Sequence, residues 1–128
     1  MIYPWGDTFE AMHLIYCAST ILCPDEPADG FEDTAPTGSF LAGASFYGVN
    51  DMAGNVNEWV ADWYDENYFL SLTDRVENPH GPGSGEKRSI RGGSFGLNVS
   101  KLRTTNRGSA APTHYGFYDG FRCAQSSD

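Results

Sequence analysis

Cysteine is scarce in this sequence and follows no regular spacing. Three cysteines occur in 128 residues, namely Cys17, Cys23 and Cys123. An odd number argues against a dedicated disulfide framework, and the C-x₂-C spacing of structural zinc sites is absent. A Cys17–Cys23 bridge would close a short loop only in an oxidising compartment. The simplest interpretation is a reduced protein, and the state of Cys17 and Cys23 stays open.

Long apolar runs are missing as well. The sequence contains no stretch of about 18 apolar residues, which excludes a membrane-spanning helix. Residues 1–7 carry neither a basic segment nor a long apolar one, so we expect no secretory signal there. The compartment stays open, including display at the cell surface or outside the cell.

Positive charge is absent from the first half of the chain. Lys and Arg number 8 against 17 Asp and Glu, which gives a formal net charge of −9. Residues 1–70 contain no Lys or Arg, and all the basic residues lie between Arg75 and Arg122. A chain this acidic repels phosphate backbones and anionic membranes, which argues against nucleic acid as a partner. We expect either that the two halves attract each other or that the C-terminal half presents a less negative surface.

The composition indicates one small α+β domain over residues 1–128. Hydrophobic residues make up 40% and aromatics 14%, which excludes a disordered chain. The 15 Gly and 7 Pro favour short strands and long loops over long helices. Apolar residues at helical spacing predict one helix, from Thr8 to about Ile21. A strand running into a turn is predicted at 59–64, and loops are predicted at 23–38 and 76–88.

Five short segments follow one another along the chain: YPWGD at 3–7, GSF at 38–40, NDMAGNVNEWV at 50–60, RGGSF at 91–95 and GFRCA at 120–124. In this order they resemble the formylglycine-generating-enzyme (sulfatase-modifying factor) family, over nearly the whole chain. The resemblance implies a C-type-lectin-like fold of the formylglycine-generating-enzyme type. The expected version is minimal, with long irregular loops and few short strands.

Two departures from the family's pattern affect what carries over. The family's domain usually has a substantial part before the YPWGD-like segment, so a minimal version or a fragment is expected here. The family's oxidase chemistry uses a cysteine pair whose positions fall near Leu97 and Leu102, yet no cysteine lies between Cys23 and Cys123. Thiolate sulfur is needed to form a mixed disulfide or to bind Cu(I). The sequence therefore predicts neither that enzyme activity nor copper, and the family pattern places Cys123 in a core strand.

Residues 91–124 are similar in layout to the variable segment of proteins that diversity-generating retroelements diversify on this same lectin-type fold. The segment begins Arg-Gly-Gly-Ser-aromatic, continues as a mosaic and ends near Gly-Phe-Arg. Adenine mutagenesis of AAY codons yields no Met, Gln, Lys, Glu or Trp. Residues 96–119 contain one of these types, Lys101, whereas residues 1–95 contain 14. Framework-like places in the mosaic are held by Leu102, Arg103, Arg107 and Pro112.

The segment 96–119 has the composition of an evolved binding loop, in which aromatics supply contact area and small polar groups adapt. Tyr115, Phe117 and Tyr118 are the predicted anchors. The run 114–118 lacks the strict alternation of a strand, and either a recognition patch or core packing would explain it. The expected partner is a protein or a glycan. The candidate ligand-binding residues are Gly96, Asn98, Ser100, Asn106, Ser109, His114, Tyr115, Phe117, Tyr118 and Asp119.

The resemblance also implies a calcium site in the segment 50–60. Asn55 and Glu58 are the positions that carry over, because hard oxygen ligands on an irregular loop suit Ca²⁺. In the alternative, Asn55 caps a turn and Glu58 pairs with a basic residue from the region 88–107.

Two arginines and two glycines have structural interpretations. Arg91 and Arg122 are expected to brace loop carbonyls and buried acids with their fixed donors. Gly92 and Gly93 lack the spacing of a phosphate-binding loop. They are expected to allow a close backbone approach or a positive φ at a strand boundary.

These observations predict a non-catalytic scaffold that displays residues 96–119 to a ligand, as the variable protein of a diversity-generating retroelement. Two alternatives stay open: a formylglycine-generating-enzyme-like oxidoreductase, and a non-catalytic accessory domain of that family. A fold without its usual N-terminal elements would leave a sheet edge unpaired. Such an edge favours self-association or a companion chain.

Overall fold

A four-stranded sheet lies within the part of the chain that the computed structural model describes, residues 1–16, 30–31 and 33–125. The strands are β1 (Asn57–Trp63), β2 (Arg88–Arg91), β3 (Gly108–Ala110) and β4 (Asp119–Gly120). β1 pairs antiparallel with β2, β2 pairs antiparallel with β3, and β1 pairs parallel with β4. The order β3-β2-β1-β4 places β3 and β4 at opposite edges.

β1 is the longest strand, and its sequence explains why. Trp59, Val60 and Trp63 belong to the aromatic and β-branched types that fit a pleated, half-buried surface. The register pairs Trp59 with Ile90 and then shifts before Trp63 pairs with Arg88. The predicted strand at 59–64 is therefore confirmed, with Tyr64 following directly after its end.

Single 3-10 turns and irregular loops make up the rest of the described chain. The predicted loop at 76–88 is confirmed up to Arg88, where β2 begins. Cys17, Cys23 and much of the predicted loop at 23–38 lie outside the described residues. In the ranges described, no helix has the length and apolarity needed to cross a membrane. The turns span Ala11–His13, Leu41–Gly43, Tyr68–Leu70 and Val99–Lys101.

The predicted helix from Thr8 to about Ile21 is wrong over its described part. Only Ala11–His13 is helical, and Leu14 has extended backbone angles. Leu14 and Ile15 are both buried although they are adjacent in sequence, and Phe9 packs edge-on against Tyr16. Tertiary packing of aromatic and apolar side chains has overridden the helical spacing, because helix propensity is only a weak preference. The predicted residues 17–21 lie outside the described part.

Three small segments meet in the core. Leu14, Ala53 and Leu102 form its fully buried cluster, and the half-buried rings of Trp5 and Phe9 pack against it. These residues come from the N-terminal part, the centre and the C-terminal half of the sequence. The core therefore holds distant loops together.

Backbone contacts tighten this arrangement where side chains would not fit. Gly54 has φ +74°, and a Cβ built on it would lie 2.1 Å from the Ile15 carbonyl oxygen. The amide of Gly54 donates to the Gly92 carbonyl at 2.9 Å, and the amide of Asn55 donates to Ile15 at 3.2 Å. Gly92 and Gly93 have φ of +85° and +75°, which confirms the positive φ expected for them.

The expectation that Cys123 lies in a core strand is wrong. β4 ends at Gly120, and Cys123 is exposed. Gly120 packs close to Val56, where a Cβ would meet a Val56 methyl at 2.7 Å. After that contact the chain leaves the sheet, and the next side chain, at Phe121, is exposed.

Replacing Gly54 with Ala tests this close backbone packing. The left-handed backbone alone costs a residue with a Cβ roughly 1–2 kcal/mol, and the overlap with Ile15 adds to that. Gly54→Ala should therefore lower the free energy of unfolding in urea by about 2 kcal/mol or more. Gly83→Ala is the matched control, since nothing lies within 4 Å of its added Cβ. Equal stability of the two variants would contradict the described packing.

Candidate functional site

An exposed aromatic loop connects β3 to β4. All of residues 111–118 are exposed. Tyr115 and Phe117 have 91% and 93% of their surface exposed. Among the described residues, no ring packs against either of them. Of the two explanations for the run 114–118, core packing does not apply to these two side chains.

The base of this loop is fixed by three polar side chains. Asp119 has a side chain only 9% exposed, and its Oδ2 lies 3.1 Å from His114 Nε2. Its Oδ1 accepts a hydrogen bond of 3.4 Å from Asn57 Nδ2. The backbone N–H of Asn57 also donates to the Tyr118 carbonyl at 2.6 Å. This His114–Asp119–Asn57 clasp fixes both ends of the segment that carries Tyr115 and Phe117.

Tyr118 forms the floor beside the loop. Its ring lies 5.0 Å from that of Phe95, centroid to centroid. A Cβ on Gly96 would lie 2.7 Å from Tyr118 Cε1. A side chain at position 96 would therefore displace the Tyr118 ring from its present position. An open cavity of about 390 Å³ is lined by Asp33, Thr34, Phe95, Phe117 and Tyr118. We call Phe95, Tyr115, Phe117 and Tyr118 the aromatic surface.

The structure brings only part of the predicted ligand-binding set together. Asn98 caps the turn Val99–Lys101, and its Oδ1 accepts from the Ser100 amide at 3.2 Å. Asn106 offers its carbonyl to Arg91 at 3.0 Å. Ser109 lies in β3, at the edge of the sheet opposite β4. The residues gathered at the aromatic loop are Gly96, His114, Tyr115, Phe117, Tyr118 and Asp119.

Sequence reasoning missed four residues at this site. Phe95 belongs to the RGGSF segment, where it serves only to mark the fold. Asn57 lies in the segment 50–60, where the sequence singles out only Asn55 and Glu58. Asp33 and Thr34 carry no local signal, because only the tertiary fold brings their acidic loop to Phe95.

Arg122 braces the centre of the chain. Its Nε donates to Glu58 Oε2 at 2.7 Å, and its terminal nitrogens donate to the carbonyls of Asn50 and Asp51 at 3.0 and 2.8 Å. A second bond joins it to the other Glu58 oxygen. The hydrogen bond that Arg122 donates to Glu58 raises the pKa of Arg122 above its ordinary value, although burial acts in the opposite direction. The framework interpretation of Arg122 is confirmed.

These bonds also correct the expected partner of Glu58. The basic residue is Arg122 and does not come from the region 88–107. The strand pairing explains why Arg122 is the partner. β4 pairs in parallel register with Glu58 through Gly120, and Arg122 follows two residues later.

Asn55 and Glu58 line one cavity of about 230 Å³, with Asp51 beside them. The Asn55 amide exchanges two hydrogen bonds of 3.1 Å with the backbone of Ala35. Both Glu58 oxygens are bound by Arg122. The described residues hold no group of three His, Cys, Asp or Glu side chains that suits a metal. Calcium binding is therefore not tested by that count, because the predicted ligands include the Asn55 amide. Calcium stays a prediction that requires Glu58 to release Arg122.

The sequence profile of the sulfatase-modifying factor enzyme 1-like domain matches residues 1–127. The chain belongs to this family. Its curated relatives include the formylglycine-generating enzyme of Thermomonospora curvata, 33% identical over 95% of this chain and 42% of that protein. The formylglycine-generating enzyme of Mus musculus is 31% identical over 96% of this chain and 33% of that protein. This chain thus spans less than half the length of these relatives.

Solved structures of similar proteins bear out the fold of this family member. PvdO of Pseudomonas aeruginosa has a TM-score of 0.68 and 31% identity, over 94% of this chain and 42% of that one. Treponema denticola variable protein 1 has a TM-score of 0.67 at 24% identity, over 86% and 34%, and shows the fold alone. The expected minimal C-type-lectin-like fold, with few short strands and long irregular loops, is confirmed.

In this family member, leucine occupies the two places near which the resembling enzymes' cysteines fall. Leu102 is 1% exposed and belongs to the core cluster with Leu14 and Ala53. Leu97 follows Gly96 and is half-buried. An apolar side chain that packs the core cannot supply the thiolate that such chemistry needs.

Replacing Arg122 with Lys tests its bracing role. Lysine keeps the charge but loses the planar fork that reaches Glu58, Asn50 and Asp51 together. The variant should lose about 1–2 kcal/mol of unfolding free energy in urea, since each charge-assisted bond is partly solvent-screened. Arg75→Lys is the matched control, because exposed Arg75 has no recorded partner in the described part of the chain. A loss of equal size in both variants would contradict the bracing role.

Proposed function

We propose that this domain is a non-catalytic scaffold that binds a protein or a glycan through its aromatic surface. The observation that carries the proposal is the near-complete exposure of Tyr115 and Phe117 on a loop whose base is clasped by His114, Asp119 and Asn57. Exposed large apolar groups in a contiguous patch are typical of interaction sites.

The energetics support a binding role for these rings. Burying a side chain as large as Phe is worth about 1.5–3 kcal/mol. In the free protein the rings of Tyr115 and Phe117 are exposed and do not gain this burial free energy. They would gain it on packing against a ligand. The clasp limits the conformational entropy that binding would cost, because both ends of the loop are held. The cavity beside Phe95 and Tyr118 adds a concave element next to the protruding rings.

The segment 91–124 combines fixed and accessible positions, as a diversified region requires. Leu102 is buried, and Arg107 and Arg122 are committed to backbone carbonyls. Ser100 and Phe117 are exposed. We infer that the accessible positions are varied by a retroelement while the committed ones preserve the fold. The likeness in fold to a protein named variable protein 1 supports this inference.

An oxidoreductase is the rival proposal, because the family includes formylglycine-generating enzymes. The absence of any cysteine between Cys23 and Cys123 in the sequence argues against it. The buried position of Leu102 argues against it independently. We therefore favour a binding protein over an enzyme. Sequencing the DNA around the gene distinguishes a diversified binding protein from a non-catalytic accessory domain without diversification.

A display loop should tolerate change at its tip and not at its base. The double variant Tyr115→Ser, Phe117→Ser should keep the unfolding free energy within about 0.5 kcal/mol, as expected of exposed positions. Phe95→Ala should lower it by about 1–3 kcal/mol, because the ring packs against Tyr118. Urea denaturation followed by intrinsic fluorescence measures both. A large loss in the double variant would show that the rings pack and would overturn the display proposal.

Sequencing the DNA around the gene tests diversification directly. We expect a reverse-transcriptase gene and a nearby template copy of the segment encoding residues 91–124. The two copies should differ only where the template has adenine. The absence of both would overturn the retroelement proposal and leave a non-catalytic or degenerate member of the family.

A further inference from the structure

Two arginines face each other where β2 meets β3. The antiparallel register pairs Ser89 with Ser109 and Ile90 with Gly108. Arg107 directly precedes β3, and extending this register by one position brings it opposite Arg91. Residues directly opposite in an antiparallel pair have Cβ atoms about 4.5–5.5 Å apart, and like charges there are destabilising. The arrangement therefore places two repelling cations side by side.

Backbone carbonyls hold both cations in place, and an aromatic ring also packs against Arg107. Arg91 donates to the carbonyls of Thr104 and Asn106 at 3.2 and 3.0 Å. Arg107 donates to the carbonyls of Asp65 and Glu66 at 3.1 and 3.0 Å. Its guanidinium carbon lies 4.7 Å from the centroid of the Phe69 ring. Each guanidinium has five N–H donors, and two recorded hydrogen bonds leave the others of each available.

Neither cation is neutralised by a contacting carboxylate. The ion pairs recorded among residues 1–16, 30–31 and 33–125 involve the Met1 amino group, His114 and Arg122, but not Arg91 or Arg107. Burial lowers the pKa of Arg91, and the charge of Arg107 lowers it further, while Asp62 acts in the opposite direction. Two guanidinium groups without a contacting carboxylate are unusual in a protein whose net charge is −9.

A cavity of about 640 Å³ opens over this pair. The hydroxyl-bearing residues Thr104 and Thr105 lie on its wall with both arginines, and Phe69 and Leu70 provide an apolar side. Leu70 is largely exposed. Glu66 also contributes to the lining and is the acidic member of the described wall. The cavity thus joins concentrated positive charge to an apolar surface.

We propose that this cavity binds a small organic anion, a phosphate monoester or a carboxylate attached to an apolar body. Planar guanidinium groups match the oxygens of either group in a bidentate manner. An anion between Arg91 and Arg107 relieves their repulsion, and Phe69 and Leu70 contact the apolar body. This site goes beyond the proposed ligand-binding function and does not depend on it, because it lies on the β2–β3 side, away from the clasp at β4.

Phenyl phosphate is the first probe, and benzoate distinguishes a carboxylate ligand from a phosphate one. In titrations of the whole protein at about 0.15 M salt, where charges outside the cavity are screened, ¹H–¹⁵N NMR should show saturable shifts at Arg91, Thr104, Thr105 and Arg107. Phenol, which has the apolar body without the anion, should bind at least about tenfold more weakly, because charge-assisted bonds are lost. The resonances of residues 114–118 should not move.

Variants separate the site from a general charge effect. Arg107→Met keeps an apolar stem against Phe69 and should weaken phenyl phosphate binding about tenfold or more. Arg103→Met removes the same charge from outside this cavity and should change affinity less than about twofold. Glu66→Gln should strengthen binding, because it removes a like charge from the wall. The NMR spectrum of each variant verifies that it is folded.

The outcomes are decisive in either direction. If Arg103→Met and Arg107→Met weaken phenyl phosphate binding equally, the weakening reflects net charge alone and the proposal is overturned. An absence of saturable shifts with both phenyl phosphate and benzoate would also overturn it. Binding that moves residues 114–118 rather than Arg91 and Arg107 would also overturn it. That last result would support the aromatic surface as the ligand site, so the two proposals can fail separately.

Discussion

The described structure depends on one guanidinium group, that of Arg122. The adjacent strand β4 contains only two residues and pairs with β1 through two register positions. So short a strand cannot fix its own place in a sheet. Arg122 supplies what is missing by binding Glu58 in β1 and the carbonyls of Asn50 and Asp51 at the same time. With β4 held in this way, Asp119 comes beside Asn57, and the aromatic loop acquires its fixed base.

Arginine side chains that donate to backbone carbonyls also hold other irregular loops, where few side chains are buried. The fully buried cluster is small, with Leu14, Ala53 and Leu102 at its centre. Arg91, Arg107 and Arg122 all donate to loop carbonyls, and each bond replaces one that the irregular loop would otherwise make to water. Two of these arginines, Arg107 and Arg122, thereby join the basic second half of the chain to carbonyls of the acidic first half. Of the arginines that do this, only Arg122 also forms an ion pair with a described carboxylate.

The parts of the structure that sequence could predict are those fixed by local chemistry or by ordered motifs. The aromatic and β-branched run around Trp59 and Trp63 indicates a strand, and the pair Gly92-Gly93 indicates positive φ. Five ordered segments suffice for the family. The helix after Thr8 could not be judged from spacing, because the burial of Leu14 and Ile15 depends on rings and loops distant in sequence. The partner of Glu58 depends on a parallel strand more than 60 residues away, which no local pattern records.

The candidate site shows the same division. Tyr115 and Phe117 could be singled out because their type and position already suggest contact with a partner. Phe95 and Asn57 could not, since one supports Tyr118 and the other supports Asp119 only after the sheet has formed. The opposed arginines at positions 91 and 107 were equally hidden, because their repulsion appears only in the register of β2 and β3. A short sheet with different chemistry at its two edges can therefore carry two independent surfaces. Because β3 and β4 lie at opposite edges of the sheet, we expect change at the β4 edge to leave the charge pair at the β3 edge in place.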